Sequence, residues 1–399
     1  MKKVLLLGGS LFQVPSIKKA KELGYYTITC DYLPDNPGHK FADEYHNVST
    51  TDKEAVLALA KNLKIDGIVC YASDPAAPTA AYVAEKMGLP GQPYKSVEIL
   101  SNKDLFRKFL TENNFNVPRA KGFFSIEQAK EDFKNFKLPV MVKPVDSSGS
   151  KGVTKISKIE ELEKAIECAL SFSRVKRFIM EEYVEKYGYQ IAGDGFSVDG
   201  KLAFRCFAND HFILNNGNPF VPIGASFPYN MPTQTHNKIH NEIQRLFTLL
   251  NMKTGAYNFD IRIDKNENVF LMEIGARNGG NLIPQVIKYA TGVDMVEYTI
   301  QAAMGKDCSS LKMVEQKGFW AYYAVHSNKA GILKAININE ELKKNNIVEQ
   351  DMMCNIGDKI NSYNGSNGTL GIIILKFSSM DEMLYKMDNM YEFIQVMVE

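Results

Sequence analysis

The chain lacks most of the features that would tie it to a secreted, membrane or nucleic-acid role. Its six cysteines, Cys30, Cys70, Cys168, Cys206, Cys308 and Cys354, are scattered through 399 residues without a C-x-x-C pair. A disulfide framework and a cysteine-rich zinc site are therefore not expected, and free thiols in a reducing compartment are. There is no excess charge of either sign: 47 basic residues stand against 46 acidic ones, a formal net charge of +1. Nothing in that balance points to nucleic acid or an anionic membrane, although local positive patches for a small anion stay open. No segment approaches the ~18 apolar residues of a membrane span. The apolar run Val4–Leu7 ends at Gly8 and Gly9, too short for the core of a secretory signal, so a cytoplasmic location is expected. Internal repeats and low-complexity tracts are missing. So are the Walker A spacing and G-x-G-x-x-G.

What is present reads as an ordinary globular enzyme, 45% hydrophobic and 23% charged, long enough for two or three domains. Val4–Leu7 is a continuous apolar run before a glycine turn, the pattern of a buried parallel strand. A helix over Pro15–Leu23, a strand at Tyr26–Cys30, a helix opened by the capping pattern Thr51-Asp52-Lys53-Glu54 and a strand at Ile65–Cys70 follow. This alternation predicts a doubly wound α/β domain over about the first 95 residues, with Ser10 and Ser73-Asp74 at a crevice beyond the strand ends. Gly8-Gly9-Ser10 with Asp31 invites a nicotinamide reading; a tight turn explains the glycines as well.

Farther on, Ser101-Asn102-Lys103-Asp104 resembles a second capping box, placing Lys103 in the first turn of a helix. A cation there opposes the helix dipole, a conflict that a bound phosphate removes; a solvated lysine is the plainer alternative. A strand over Leu138–Lys143 leads into the loop Asp146-Ser147-Ser148-Gly149-Ser150-Lys151-Gly152, whose backbone N–H groups suit phosphate oxygens, or which is a generic surface loop. Ser157-x-x-Glu160 opens a further helix. In Gly255–Ile263 polar residues alternate with apolar ones, and Val269–Ile274 reads as its partner strand. If Lys265–Asn268 is a four-residue hairpin loop, Asp260 lies opposite Glu273. Two adjacent carboxylates need a counter-charge: either Mg²⁺, or a salt-bridge cluster with Arg262 and Arg277. Arg277, four residues beyond Glu273, has the chemistry to clamp a phosphoryl or acyl phosphate group. His236-x-x-x-His240 reads as a polar surface helix, and the stretch 215–218 beyond His211 as either a polar substrate contact or a turn. Strands are expected at Phe319–Val325 and Leu370–Phe377, and a methionine-rich amphipathic helix near Asp381–Tyr391.

Taken in order, these pieces resemble the ATP-grasp superfamily, in particular its carboxylate–amine ligases. The resemblance covers nearly the whole chain and is strongest from Asn102 to about Gly292. It implies an α/β and α+β fold: a Rossmann-like domain over 1–95, an ATP-grasp core over 96–306 with a lid subdomain at about 115–185, and a small α+β region over 307–399. It implies ATP with Mg²⁺ or Mn²⁺, small-molecule carboxylate and amine substrates, and a homodimer. By position, Lys103 and Lys143 resemble the nucleotide-binding lysines, Ser147, Ser148, Gly149 and Gly152 the cofactor-binding residues of the mobile lid loop, and Lys151 within that loop is a candidate catalytic residue. Glu181, Glu182, Tyr183 and Val184 resemble the adenine hinge, with Glu181 meeting the amino group and the backbone of Glu182 and Val184 reading the ring edge. Asp260 and Glu273 resemble the metal-binding carboxylates, and Arg277 the arginine beside the reaction centre. The sequence departs from relatives where Gln190 stands in place of a ribose-binding Glu, where Asp260 replaces a Glu, and where Gly275 replaces a metal-binding Asn; Asn278 is the candidate to compensate. The implied function is activation of a carboxylate as an acyl phosphate and its coupling to an amine. A phosphoribosylglycinamide synthetase-type or dipeptide-forming activity falls within that class; an ATP sensor without catalysis and a nicotinamide oxidoreductase are the rivals outside it.

Overall fold

The computed structural model describes residues 1–212, 218–365 and 368–399. The Asn-rich stretch at 215–218 lies outside them except for Asn218. Strands β1 (Lys3–Leu7), β2 (Tyr26–Cys30), β3 (Glu44–His46) and β4 (Gly67–Cys70) pair in parallel in the order β3-β2-β1-β4. Helices α1 (Val14–Glu22), α2 (Lys53–Leu63) and α3 (Ala77–Met87) connect and cover them. The cap of α2 is Asp52, whose carboxylate accepts the Ala55 N–H at 3.0 Å, one residue beyond the expected Thr51. Strand order reverses between β1 and β4, so the crevice at a doubly wound sheet's switch point opens where Ser10 and Asp74 lie. The glycine turn above β1 is filled from within. A Cβ on Gly9 would fall 2.1 Å from the His39 ring, and Asp31 accepts the Gly9 N–H and the Asn36 amide. Asp31 therefore closes its own loop.

Helices α4 (Tyr94–Ser101) and α5 (Lys103–Glu112) follow. Ser101 is the last residue of α4, not a cap, and Lys103 is the first of α5. A small antiparallel sheet, in the order β5-β8-β6-β7, is built from β5 (Ala120–Phe123), β6 (Val140–Pro144), β7 (Thr154–Ile156) and β8 (Phe178–Glu182). With α6 (Ile126–Asp132) and α7 (Leu162–Phe172) it encloses a core of its own around Phe123, Val142, Ile166 and Phe178. Before α7 the reciprocal contact comes from Glu161, which accepts the Ser157 and Lys158 N–H groups; Glu160 does not supply it.

The largest sheet runs β13-β12-β9-β10-β11-β14-β18-β16. Its strands are β9 (Gln190–Val198), β10 (Lys201–Phe212), β11 (Pro222–Phe227), β12 (Gly255–Ile263), β13 (Val269–Gly275), β14 (Phe319–Val325), β16 (Ile347–Met352) and β18 (Gly371–Phe377). Helix α8 (Thr233–Leu249) packs on one face through Ile239, Ile243, Leu246 and Phe247, and α9 (Ile283–Thr291) on the other. Because β14, β18 and β16 extend this sheet, the region after 307 shares its backbone ladder with the central one. A three-stranded sheet, β17 (Lys359–Ile360), β15 (Gly331–Ile338) and β19 (Ile394–Val398), and helices α11 (Glu340–Asn345) and α12 (Met380–Asp388) complete it. Helix α10 (Met295–Ala303) returns to the N-terminal sheet. Its Val296 and Ile300 bury against Val4, Leu6, Ile17 and Val69, whereas Leu5 and Leu7 face Val56 and Val83 on the other side. Both faces of β1 are thus covered, which is why its sequence is a continuous apolar run rather than an alternating one. Among the described residues no helix is long and apolar enough to cross a membrane.

Candidate active site

The centre of the site is the β12–β13 hairpin. Phe259, Ile261 and Ile263 enter the core, so Asn258, Asp260 and Arg262 take the other face. Asp260 does pair with Glu273, but not through a four-residue loop. Ile263 pairs with Val269 across residues 264–268, and a register shift between Asp260 and Ile261 then brings Asp260 opposite Glu273. A bulge, which a regular ladder does not anticipate, makes the carboxylates neighbours. Neither arginine bonds them. Arg262 donates to Gln190 Oε1 at 2.8 Å and to the Val184 carbonyl at 3.0 Å. Glu273 keeps one cation, Lys103 Nζ at 3.2 Å. Asp260 Oδ1 is buried without a hydrogen-bond partner. Burial, countered by Arg262 and reinforced by Glu273, pushes the Asp260 carboxyl up to about 6. Two hard oxygen donors, one of them orphaned, suit a divalent cation such as Mg²⁺, which binds through one or two carboxylates and completes its shell with phosphate oxygens and water.

Lys103 also donates to the Ser147 carbonyl at 2.8 Å, drawing the base of the Ser/Gly loop toward Glu273. The loop turns through positive φ at Gly149 (65°), Ser150 (57°) and Gly152 (71°). Gly152 is also needed for space, since a Cβ there would lie 3.0 Å from the Phe172 ring and 3.2 Å from the Cys168 carbonyl on α7. Ser150 Oγ donates to the Phe220 carbonyl at 2.6 Å, and Asp146 anchors the start of the loop on Ser173 and Arg174. Beneath it Lys143 bonds Glu181, whose other oxygen takes Arg107 Nε at 3.0 Å. Burial alone pushes the Glu181 carboxyl up; Arg107 and Lys143 outweigh that and hold it at about 2. The Glu181 carboxylate is thus committed to two cations. At the hinge the Glu182 N–H is spent on the Arg119 carbonyl, the Tyr183 N–H on Pro139, and the Val184 carbonyl on Arg262. Tyr183 presents its ring between Lys155, at 3.8 Å, and Arg262, at 5.1 Å from the centroid. Arg107 escaped the sequence reading; its signal was its place one helical turn after Lys103, on the same face.

Arg277 is held from the other end of the chain. Its Nε and one terminal nitrogen bond both oxygens of Asp74 at 2.7 and 2.6 Å, and the other terminal nitrogen takes the Asn278 carbonyl at 2.9 Å. This bidentate geometry fixes the guanidinium plane. It also accounts for Gly275: a Cβ there would lie 2.8 Å from Asp74 Oδ1 and 3.3 Å from Arg277 Nε. Asn278 does not compensate. Its side chain is fully buried, and its Oδ1 accepts the Thr299 hydroxyl of α10 at 2.7 Å. That bond ties the turn after β13 to α10. Asp194, buried and pushed up to about 6 by burial against the opposing bonds of Gly279 and Asn258, pins this turn through the Gly279 N–H.

Two cavities meet at the carboxylate pair. One, of about 400 Å³, is lined by Lys103, Lys143, Ser147 to Lys151, Lys155, Tyr183, Lys186 and Arg262. The other, of about 270 Å³, is lined by Phe12, Asp74, Asp210, Asn258, Arg277, Asn281, Tyr322 and Tyr363. Asp260, Glu273, Gln190, Ser148, Gly149 and Ser150 belong to both. Of the expected residues, Glu181, Glu182, Val184, Gly152 and Asn278 line neither. Asp210, whose carboxyl is pushed well up by burial and by Asp260, was also missed; in the sequence it is one polar residue beside His211.

The histidines stand apart from this chemistry. His236 meets the Tyr229 carbonyl and His240 meets Arg205; among the described residues no group of three or more His, Cys, Asp or Glu side chains is placed to hold a metal. Ser226 Oγ, His211 and Asp388 align at 2.8 and 2.7 Å, the order of a hydrolytic triad. Ser226 is fully buried and also takes the Asn209 amide, so the constellation fastens α12 to β10 and offers no nucleophile.

A serine–glycine loop over a lysine-lined cavity thus stands beside paired carboxylates on a β-hairpin. Residues 136–285 match the model of the ATP-grasp domain family. The carbamoyl phosphate synthase large chain of Thermoanaerobacter sp. (strain X514) is 25% identical over 245 residues, 61% of this chain. The chain covers 22% of that relative's length. Among solved structures, an L-amino acid ligase from Bacillus licheniformis superposes with a TM-score of 0.83 at 21% identity, covering 100% of this chain and 99% of the other. A phosphoribosylglycinamide synthetase from Anaerococcus prevotii gives 0.76 at 24%, covering 100% of both. The mixed α/β, multi-sheet architecture is the one these structures share.

Proposed function

We propose that this protein is an ATP-dependent carbon–nitrogen ligase that activates a carboxylate as an acyl phosphate and couples it to an amine. The observation that carries this reading is the Asp260–Glu273 pair, with Asp260 Oδ1 buried and unpartnered, at the junction of a cation-lined and an acid-lined cavity. A carboxylate is a poor electrophile, and its activation requires that phosphate charge be neutralised and the reactants aligned. Lys103, Lys143, Lys151 and the N–H groups of the 147–152 loop bind and orient the triphosphate of ATP. Mg²⁺, held by Asp260 and Glu273, supplies charge neutralisation of the transferring phosphoryl group when bound. The substrate carboxylate oxygen attacks the γ-phosphorus as the bond to ADP breaks. The amine nitrogen then attacks the acyl carbon, phosphate leaves, and the amine gives up a proton. Arg277, its plane set by Asp74, stabilises the oxyanion. The loop excludes water that would hydrolyse the intermediate.

Incubation with Mg·ATP, hydroxylamine and pools of carboxylates tests this directly. ADP together with a hydroxamate from one pool is the expected result, because hydroxylamine intercepts an activated acyl group whatever the natural amine. ATP binding without ADP or hydroxamate from any pool would overturn it and return the protein to a nucleotide-sensing role.

A further inference from the structure

The ladder between β9 and β10 ends at the pair Gln190–Asp210. Both side chains turn to the junction of the two cavities: Gln190 lines both of them, and Asp210 the second. Tyr189 and His211, one residue beyond that pair, fall on the opposite face of the sheet, with their rings 5.1 Å apart. There the two strand ends are joined by a side chain from far along the chain. Asp388 Oδ2 accepts the Tyr189 hydroxyl at 2.5 Å, and Oδ1 meets His211 Nδ1 at 2.7 Å. Asp388 is the last residue of α12, where the helix dipole disfavours a carboxylate. Helix stability does not account for it; its two partners do. The His211 ring is set in turn. Ser226 Oγ accepts the Asn209 amide at 3.1 Å and gives its own proton to His211 Nε2 at 2.8 Å, which leaves the Nδ1 proton for Asp388.

Tyr189 also closes the connection between β8 and β9. That connection carries Tyr183 and Lys186 into the wall of the lysine-lined cavity and runs into Gln190, whose Oε1 holds Arg262 at 2.8 Å. Its middle is exposed, Tyr187 by 58%, and Gly188 turns there with a φ of 72°. Arg262 holds the connection at the Val184 carbonyl, and the Ile263 carbonyl accepts the Tyr187 N–H at 2.7 Å. Those anchors come from β12. The anchor at Tyr189 reaches across from the C-terminal region, 199 residues away. Lys186 and Asp388 also attract one another through space.

We propose that Asp388 is a positioning residue for the lysine-lined cavity: by holding Tyr189 and His211 it fixes the path of residues 183–189, and with it the placement of Lys186 and Gln190 against a bound nucleotide. The inference rests on the ligase reading only in taking that cavity as the nucleotide site. It makes the C-terminal region a support of the site, through a residue that touches neither cavity.

The test is calorimetric titration of the full chain with Mg·ADP, with the hydroxamate assay run in parallel, on the parent, Asp388→Ala, Tyr189→Phe and the double variant. Asp388→Ala is expected to weaken Mg·ADP about fivefold and Tyr189→Phe about threefold, as loss of one positioning hydrogen bond predicts. The double variant should bind no more weakly than Asp388→Ala alone, because the two residues act through one bond. A mere fastening of α12 would lower the melting temperature and leave the affinity for Mg·ADP where it was. That result in a folded D388A or Y189F, effects that multiply in the double variant, or a parent that binds no Mg·ADP would overturn the inference. Should D388A not fold, Y189F, which loses only a hydroxyl, decides. Hydroxamate from the parent with unchanged affinity in the variants sinks the inference and leaves the ligase reading; weakened Mg·ADP in the variants without hydroxamate from any pool does the reverse.

Discussion

The two cavities share one pair of carboxylates and differ in almost everything else. On one side stand Lys103, Lys143, Lys151, Lys155, Lys186 and Arg262; on the other, Asp74 and Asp210 with a single arginine. The backbone explains the division. The cations of the first cavity come from α5, the small sheet and its loop, the connection between β8 and β9, and the far end of β12. The acids of the second come from the switch point of the N-terminal sheet and from β10. A nucleotide carrying several negative charges would find the first wall complementary and the second repulsive. Charge sorting of this kind gives orientation before any specific contact forms.

The comparison is broken most severely at the shared edge. Glu273→Ala and Arg277→Ala are each expected to lower ADP and hydroxamate formation by at least about 10²–10³-fold with the circular dichroism spectrum retained; the melting temperature stays close to that of the parent in Glu273→Ala and falls in Arg277→Ala, which leaves Asp74 without its bidentate partner. Near-parent turnover in either folded variant would mean that the carboxylate seam is not the reaction centre. On the cationic side, Arg107→Ala leaves the buried Glu181 with Lys143 alone and should cost about 3 kcal/mol in urea unfolding, the lower end for a broken buried ion pair; a change under about 1 kcal/mol would show Lys143 to suffice. On the acidic side, Asp74→Asn frees the Arg277 plane. It should lower kcat about tenfold while the KM for ATP stays within about twofold; a KM effect instead would place Asp74 in nucleotide binding. Gly275→Ala crowds the same pair from behind and should give a smaller loss, about threefold, in kcat. The mildest change is Lys151→Ala, expected to raise the KM for ATP several-fold through loss of one half-buried phosphate contact, about 1 kcal/mol; an unchanged KM would remove Lys151 from the nucleotide side.

Local features were legible in the sequence. The apolar run at β1, the strands Tyr26–Cys30 and Phe319–Val325, and the hairpin carrying Asp260 and Glu273 all follow from periodicity and turn chemistry, which act over a few residues. The hairpin also shows where such reasoning stops: the expected carboxylate pairing occurs, but through a bulge and not through the loop length assumed for it. What escaped depends on contacts between distant segments. Asp74 and Arg277 are 203 residues apart, and neither sequence neighbourhood announces the other. Asn278 is expected to compensate for Gly275 at a metal-binding position of relatives, yet its Oδ1 accepts the Thr299 hydroxyl. Glu181 stands at the expected hinge position, and its carboxylate is a buried counter-ion for Arg107 and Lys143, partners that its own sequence neighbourhood does not announce. Sequence spacing says which residues travel together along an element. It does not say which way a loop turns them when the element ends.

Helix α10 has a wider bearing on how such a protein can be divided. It is written into the chain between the site and the C-terminal strands, yet its Val296, Ile300 and Met304 form part of the floor under β1 and β4. A cut at residue 95 would separate two pieces that are contiguous as text and interleaved as matter. The N-terminal fragment would lose one face of its sheet, and the remainder would present a greasy helix with nothing beneath it. Recombination between relatives, in the laboratory or over evolutionary time, is therefore expected to succeed when residues 1–95 and 295–304 are inherited from the same parent, and to yield insoluble chimaeras when they are not.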